Sequence, residues 1–323
     1  MATPPLVTAS RRRFLAGVGA TLALPFVPRR VLASAEAKPL RLGLIADLHH
    51  GLEPTAQRRI EEFLAEADAT NADGIVQLGD FNFGTPENAP CMEVWNSFRG
   101  DRVHVLGNHD MDKLEKQAVQ DVWEMKERYR SFDRAGFHFV VLDRNNLRTE
   151  DGDVPYGKSN YFAYPTQRGH ADREQLEWLR ADLASTDLPI VVFVHQGLGM
   201  QDGLPASDPR AEIEIILRDA GRTDSPGVVA CFCGHEHLDR HRRKDGIHYV
   251  WINSASYYWV GSAYGRMAPY RDALFAFATF DPAGEIRVEG RRSDWVEPSP
   301  EERGYPNAAE ISASIGDRRL DYG

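Results

Sequence analysis

Cysteine is scarce: the 323 residues hold three, Cys91, Cys231 and Cys233. So small and odd a number excludes a disulfide framework as the basis of the fold. Long apolar runs are missing too. The stretch from Ala16 to Val27 is broken by Pro25, with Pro28 just beyond it, and is too short to span a bilayer comfortably. A mean hydropathy of −0.45 excludes a multi-span membrane protein. Basic charge is in deficit, with 38 Lys and Arg against 48 Asp and Glu, a net charge of −10. Residues 1–35 contain five arginines and no acid, so the remainder has 33 basic against 48 acidic side chains, or −15. A surface that acidic disfavours nucleic-acid polymers and anionic membranes, which are polyanions. No G-x-S-x-G element is present to support a serine hydrolase. No internal repeat is visible. What the chain does have is eleven histidines and enough apolar residues, 42%, to build a large core.

The N-terminus reads as an address. Residues 10–15 are Ser-Arg-Arg-Arg-Phe-Leu, an apolar stretch follows, and Ala33-Ser34-Ala35 offers small residues for a signal peptidase. This resembles a bacterial twin-arginine signal whose paired arginines are Arg11 and Arg12. The alternatives are a short membrane anchor or a Sec signal. The resemblance implies export of a folded protein by the twin-arginine machinery to the periplasm or exterior, with no stable membrane span in the mature chain. Residues 1–35 are set apart from the fold, 36–296 are expected to form the domain, and 297–323 a weakly held polar tail.

Strand-like and helix-like patterns alternate from Leu40 onward. Strands are expected at 40–46, 75–78, 103–106, 137–142, 190–194, 228–232 and 247–252. In 55–69, Ile60, Phe63, Leu64 and Ala67 recur at helical spacing, and in 172–184 Leu176, Leu179 and Leu183 form a second stripe. A further helix is expected around 210–219. Residues 273–280 and 285–291 flank Asp-Pro-Ala-Gly, a hairpin signature. Residues 144–170 read as a long polar loop. Alternation that ends in β-rich sequence indicates an α/β sandwich with mixed sheets.

Five motifs follow five of these strands: Asp47-Leu48-His49, Gly79-Asp80, Gly107-Asn108-His109-Asp110, Val194-His195-Gln196 and Gly234-His235-Glu236-His237. In open α/β sheets, ligands gather beyond the carboxyl ends of strands, where all five fall. Side chains two apart on an extended segment point the same way, so Asp47 and His49 are expected to meet, as are His235 and His237. Imidazole with carboxylate suits zinc, iron, manganese or nickel better than calcium.

The ordered set resembles the calcineurin-like metallophosphoesterases over roughly residues 40–260. The resemblance implies a four-layer α/β/β/α sandwich of two mixed sheets flanked by helices. It also implies two divalent or trivalent transition-metal ions, with Fe, Mn or Zn preferred. By motif, Asp47, His49 and His237 would bind the first ion, Asn108, His195 and His235 the second, and Asp80 would bridge them. The reaction implied is hydrolysis of a P–O bond in a small phosphate ester by a metal-bridging hydroxide. A phosphomonoesterase is preferred. A phosphodiesterase for cyclic nucleotides or phospholipid headgroups is the alternative, and a non-catalytic binding module on the same fold is the reading from another class. His109 would donate a proton to the leaving oxygen, or else orient Asn108.

Two positions depart from the family pattern. Phe83 stands where many relatives carry a carboxylate supporting that histidine, leaving Asp110 as a substitute, and Gly197 stands where a proline is frequent. His50 is expected to face away from the site. His104, His138, His170, His241 and His248 have no motif support. Cys231 and Cys233 read as small buried hydrophobes, with a bridge to Cys91 left open. Tyr257, Tyr258, Trp259 and Tyr264 could stack on a substrate, though packing is the more ordinary role. Arg144, Asn145 and Asn146 could meet a phosphate, with a polar loop slightly favoured.

Overall fold

The computed structural model describes residues 38–221 and 225–323; the expected export signal lies outside them. Two six-stranded sheets organise the chain. The first runs, in order, β16 (Arg318–Asp321), β15 (Glu285–Gly290), β14 (Ala276–Asp281), β1 (Leu40–Ile45), β2 (Gly74–Gln77) and β3 (Asp101–His104). The second runs β10 (Arg240–Lys244), β11 (Ile247–Trp251), β9 (Val228–Cys233), β8 (Ile190–Phe193), β5 (Phe137–Val141) and β4 (Arg130–Arg134). Both are mixed. β1, β2 and β3 are parallel, as are β5, β8, β9 and β11, and the remaining pairings are antiparallel. Two hairpins stand apart, β6 (Asn146–Thr149) with β7 (Gly152–Pro155), and β12 (Tyr257–Gly261) with β13 (Arg266–Pro269).

Strand alternation explains the layers. In β5, Phe137, Phe139 and Val141 face the core between the sheets, while Val140 turns outward. In β8, Val191 and Phe193 face in while Ile190 and Val192 face out. Helices α1 (Ala56–Ala69) and α2 (Ala89–Ser97) cover the first sheet's outer face through Ile60, Phe63, Leu64 and Trp95. Helices α4 (Arg173–Ala184) and α5 (Ala211–Asp219) cover the second through Leu176, Leu179, Ile213 and Leu217. Asp172 caps α4, its carboxylate accepting from the Gln175 amide at 2.9 Å. A short α3 (Lys116–Val122) lies between β3 and β4. The expected four-layer order is thus present.

Two expectations need correction. Residues 297–323 are not a loose tail: β16 pairs with β15 from Arg318 to Asp321, and Ile315 and Leu320 are buried. The strand reads as polar because an edge position buries only one side chain of Arg-Arg-Leu-Asp. Residues 144–170 are not one loop either, since β6 and β7 form a hairpin within them. The three cysteines are buried free thiols. Cys91 lies on the buried face of α2 and the other two pack under α4 and α5, on the opposite outer face, so no bridge joins them.

Candidate metal centre

The parallel strands of both sheets end on one rim. β1 leads to Asp47 and His49, β2 to Asp80, and β3 to Asn108 and His109, while β8 leads to His195 and β9 to His235 and His237. The loops are laced together by main-chain bonds, Asp47 N to Gly79 O at 3.0 Å and His49 N to Asp80 O at 2.9 Å. The expected strand alternation is not what aims the side chains. Asp47, His49, Asp80, His235 and His237 all take positive φ, between 51° and 69°. Non-glycine residues rarely occupy that region, and each such residue costs of order 1–3 kcal/mol that the surroundings must offset. Two glycines make the packing feasible. A Cβ on Gly107 would lie 2.1 Å from the Asp80 nitrogen, and one on Gly79, itself at φ 95°, would lie 2.4 Å from His195 Nδ1.

Two donor clusters result, Asp47–His49–His237 and Asp80–His195–His235. His235 and His237 therefore do not share a target: they point into different clusters. The clusters adjoin. Asp80 Oδ2 lies 3.1 Å from His195 Nε2 and 3.9 Å from His49 Nε2, and Asp47 Oδ1 lies 3.3 Å from His237 Nε2 and 4.0 Å from His195 Nε2. Asn108 is buried, and its Oδ1 has no hydrogen-bond partner among the described residues.

These residues fit metal ions on chemical grounds. His195 Nδ1 donates to the Leu78 carbonyl at 2.7 Å and His237 Nδ1 to the Tyr257 carbonyl at 2.6 Å. Those bonds fix the tautomer that leaves each Nε2 lone pair facing inward. His49 Nε2 and His237 Nε2 then stand 3.2 Å apart, and His235 Nδ1 and His195 Nε2 3.3 Å apart. Lone pairs converging at that distance, with buried carboxylates and an orphaned amide oxygen, suit cations. The other carboxylate oxygens are tied back: His109 N donates to Asp80 Oδ1 at 2.7 Å and His235 N to Asp47 Oδ2 at 2.9 Å. Burial alone would raise the Asp80 carboxyl, yet His195, His109 and His49 hold it well below the usual carboxylate range.

His109 stands beside the clusters, its ring 5.4 Å from that of His49. Asp110 does not support it. That carboxylate is buried and accepts from the Asp80, Phe81, Asn82 and Gly107 amides, bracing the two loops instead. The support is Asp112, whose Oδ2 accepts from His109 Nδ1 at 2.8 Å while its Oδ1 accepts from the Tyr161 hydroxyl at 2.5 Å. Burial pulls the His109 imidazole down, but Asp80 and Asp112 more than reverse that and push its pKa up to about 8. Asp112 was legible only as a carboxylate three residues past the histidine, directly after the short turn His109–Met111.

The remaining expectations divide. His50 is bonded to Gln57 and Asn88, and His104, His138, His170, His241 and His248 lie outside both clusters. Tyr257 packs on His49 and His237 with ring centroids 5.2 and 5.1 Å away, Trp259 leans on Tyr257, and Tyr264 packs elsewhere against Tyr305. Arg144, Asn145 and Asn146 are not solvated loop residues. All three are buried, and Arg144 donates to the carbonyls of Gln196, Gly197 and Gly169. It braces the wall of a cleft of about 510 Å³ that Asn108, His109, His235, Phe162 and Arg168 also line.

Among solved structures, a dimetal phosphatase from Danio rerio superposes with a TM-score of 0.62 at 15% identity, covering 88% of this chain and 100% of that one. GAP50, described as the anchor in the inner membrane complex of Plasmodium, gives 0.54 at 13% identity, covering 88% and 89%. At these identities the likeness is one of fold. A comparison with curated proteins finds no match. The family model for calcineurin-like phosphoesterases matches residues 40–239, the stretch that carries every donor described above. With its two mixed sheets and its donors at their common rim, the chain belongs to the calcineurin-like phosphoesterases, a family of metal-dependent phosphoester hydrolases.

Proposed function

We propose that this chain is an exported phosphomonoesterase for small phosphate esters, with two divalent or trivalent transition-metal ions (Fe, Mn or Zn) as cofactor. Asp47, His49 and His237 would hold one ion and Asn108, His195 and His235 the other, with Asp80 between them. The observation that carries this reading is the pair of adjoining donor clusters, with Asp80 Oδ2 reaching toward a histidine of each. Ions bound there would supply positive charge to polarise the phosphoryl oxygens and make water more acidic.

The protein's own groups do the rest. Asp112 accepts the hydrogen bond from His109 Nδ1–H, so Nε2 is the nitrogen left to protonate a departing oxygen. Tyr161 donates to the same carboxylate and fixes its rotamer. A monoester carries one organic group, and the cleft opening from Asn108, His109 and His235 gives that group a place. Export rests on the resemblance of residues 10–35 to a twin-arginine signal. The binding-module alternative would require missing donors, and all seven positions are filled by the expected residue types.

The test pairs elemental analysis after metal reconstitution with rates on 4-nitrophenyl phosphate and bis(4-nitrophenyl) phosphate. Two equivalents of metal and faster monoester turnover are expected. One equivalent in an active preparation overturns the dinuclear reading, and a faster diester overturns the monoester preference. Two bound ions with neither ester cleaved overturns the phosphomonoesterase reading.

A further inference from the structure

Phe162 is 57% exposed, and its ring centroid lies 6.0 Å from that of His109. It lines the cleft that opens from Asn108, His109 and His235. The ring is held in place rather than left at a loop tip. It closes the short turn Asn160–Phe162, which begins after Lys158 and Ser159, both at positive φ without being glycine. Ser159 N donates to the Met111 carbonyl at 3.0 Å, Ser159 Oγ to Asp112 Oδ1 at 3.0 Å, and the Tyr161 hydroxyl to that same oxygen at 2.5 Å. Tyr161 backs the phenyl ring, centroids 4.4 Å apart. One carboxylate, Asp112, therefore ties together the proton donor and the turn that presents the exposed ring.

We propose that Phe162 is a stacking platform for a planar leaving group, so that the preferred substrates are phosphate monoesters bearing an aryl ring or nucleobase near the scissile oxygen. This rests on the phosphoesterase reading above. The leaving group departs on the His109 side, and Phe162 is the exposed aromatic surface beside His109 in that cleft. A flat ring laid on it buries two apolar faces at once, while a short alkyl chain covers little. Arg168 and Thr166 on the same cleft wall offer donors to polar edges of such a ring. Tyr164, 48% exposed and two residues further on, is not among the residues lining this cleft and serves as control.

The experiment measures kcat/KM of the metal-replete protein on phenyl phosphate, adenosine 5′-monophosphate and glycerol 3-phosphate, for wild type, Phe162→Ala, Phe162→Leu and Tyr164→Ala. Ring stacking by alanine substitution predicts a loss of roughly 5- to 100-fold for Phe162→Ala on at least one aromatic ester, mainly through KM, with glycerol phosphate changed by less than about twofold. Phe162→Leu should retain only part of the aromatic preference, and Tyr164→Ala should match wild type. The ester with the larger loss identifies aryl ring or nucleobase as the source. Equal loss on all three esters, or no loss on either aromatic one, overturns the platform. Saturation-transfer NMR with phenylphosphonate and adenosine 5′-monophosphate supplies a readout without turnover. If wild type cleaves nothing, the phosphoesterase reading fails, and the platform still stands or falls on whether Phe162→Ala abolishes saturation of the ligand ring protons.

Discussion

Asp112→Asn exchanges one oxygen for an amide nitrogen at the atom pair that governs His109. The Tyr161 and Ser159 hydroxyls can keep their bonds to the remaining oxygen, which preserves the turn. The amide group then faces His109 Nδ1, where the carboxylate had accepted at 2.8 Å. An NH₂ cannot accept from Nδ1–H, which leaves that proton the neutral Tyr161 hydroxyl oxygen, 3.0 Å away, in place of a charged carboxylate. A hydrogen bond to a charged partner is worth about 1.5–3 kcal/mol, which corresponds to about one to two units of basicity. Asp112 is one of two carboxylates that raise His109 to about 8. The share due to Asp80 weakens once cations take up its charge. From about 8, a drop of one to two units takes the protonated fraction at pH 7 from about nine-tenths to between about a tenth and a half, and from the lower value of the cation-loaded protein the proportional loss is larger. Alkyl esters need that proton, and their turnover should fall with it, by about tenfold. Nitrophenolate departs without a proton, so 4-nitrophenyl phosphate should change by no more than about threefold. Single-turnover rates across a leaving-group series, with metal content and melting temperature measured alongside, decide the matter. Equal losses on both ester types with both ions retained would refute the acid role, and so would no loss on either.

Other consequences are directly measurable. Asp80→Asn should lower metal content below two equivalents and nearly abolish turnover with an unchanged circular-dichroism spectrum; full activity with both ions bound would exclude Asp80 as the shared donor. Replacing Arg11 and Arg12 by lysine should hold the precursor in the cytoplasm on cell fractionation, whereas normal export would point to a Sec route. His138 gives a stability test. Burial pulls its pKa down, but hydrogen bonds to Asp182 and Asp133 raise it above the ordinary value. A folded-state pKa above the unfolded one contributes stability that is fully present below about 6.5 and lost as pH rises through the folded value. Urea unfolding should therefore show His138→Leu costing more near pH 5.5 than near pH 9, and an equal cost at both would sink the assignment.

The interior strands were legible because burial on both faces writes an apolar run into the chain, as in Ile190–Phe193 and Val228–Cys233. The edge strands were not. Arg130–Arg134 and Arg240–Lys244 are paired on one side only and carry charged side chains. Their composition resembles that of a loop, and the same holds for β16. At the site, the donors were readable as residue types at strand ends, but their aim was not. Strand alternation would send His235 and His237 to one point, whereas left-handed backbone at both sends them to two. Asp112, Tyr161 and Phe162 were beyond sequence reasoning for another reason. Their roles arise where a turn some 50 residues downstream docks on the His109 turn, and no local pattern encodes that contact.

Each donor cluster draws on both sheets. Asp47 and His49 come from the first sheet and His237 from the second, while Asp80 comes from the first and His195 and His235 from the second. The spacing of the donors therefore depends on how the two sheets are seated against each other. That seating is fixed by an aromatic seam between them. Phe280 of the first sheet packs against Phe137, Phe139 and Phe232 of the second, with ring centroids 5.7, 5.2 and 6.0 Å away. Interiors are packed too densely to deform smoothly, so truncating Phe280 would leave a cavity that the sheets close only in part. A change in this seam alters the distance between donors without touching their chemistry. A change under α1 or α4 lies on an outer face of one sheet, where lost burial lowers stability while the seam still holds the two halves of each cluster in register.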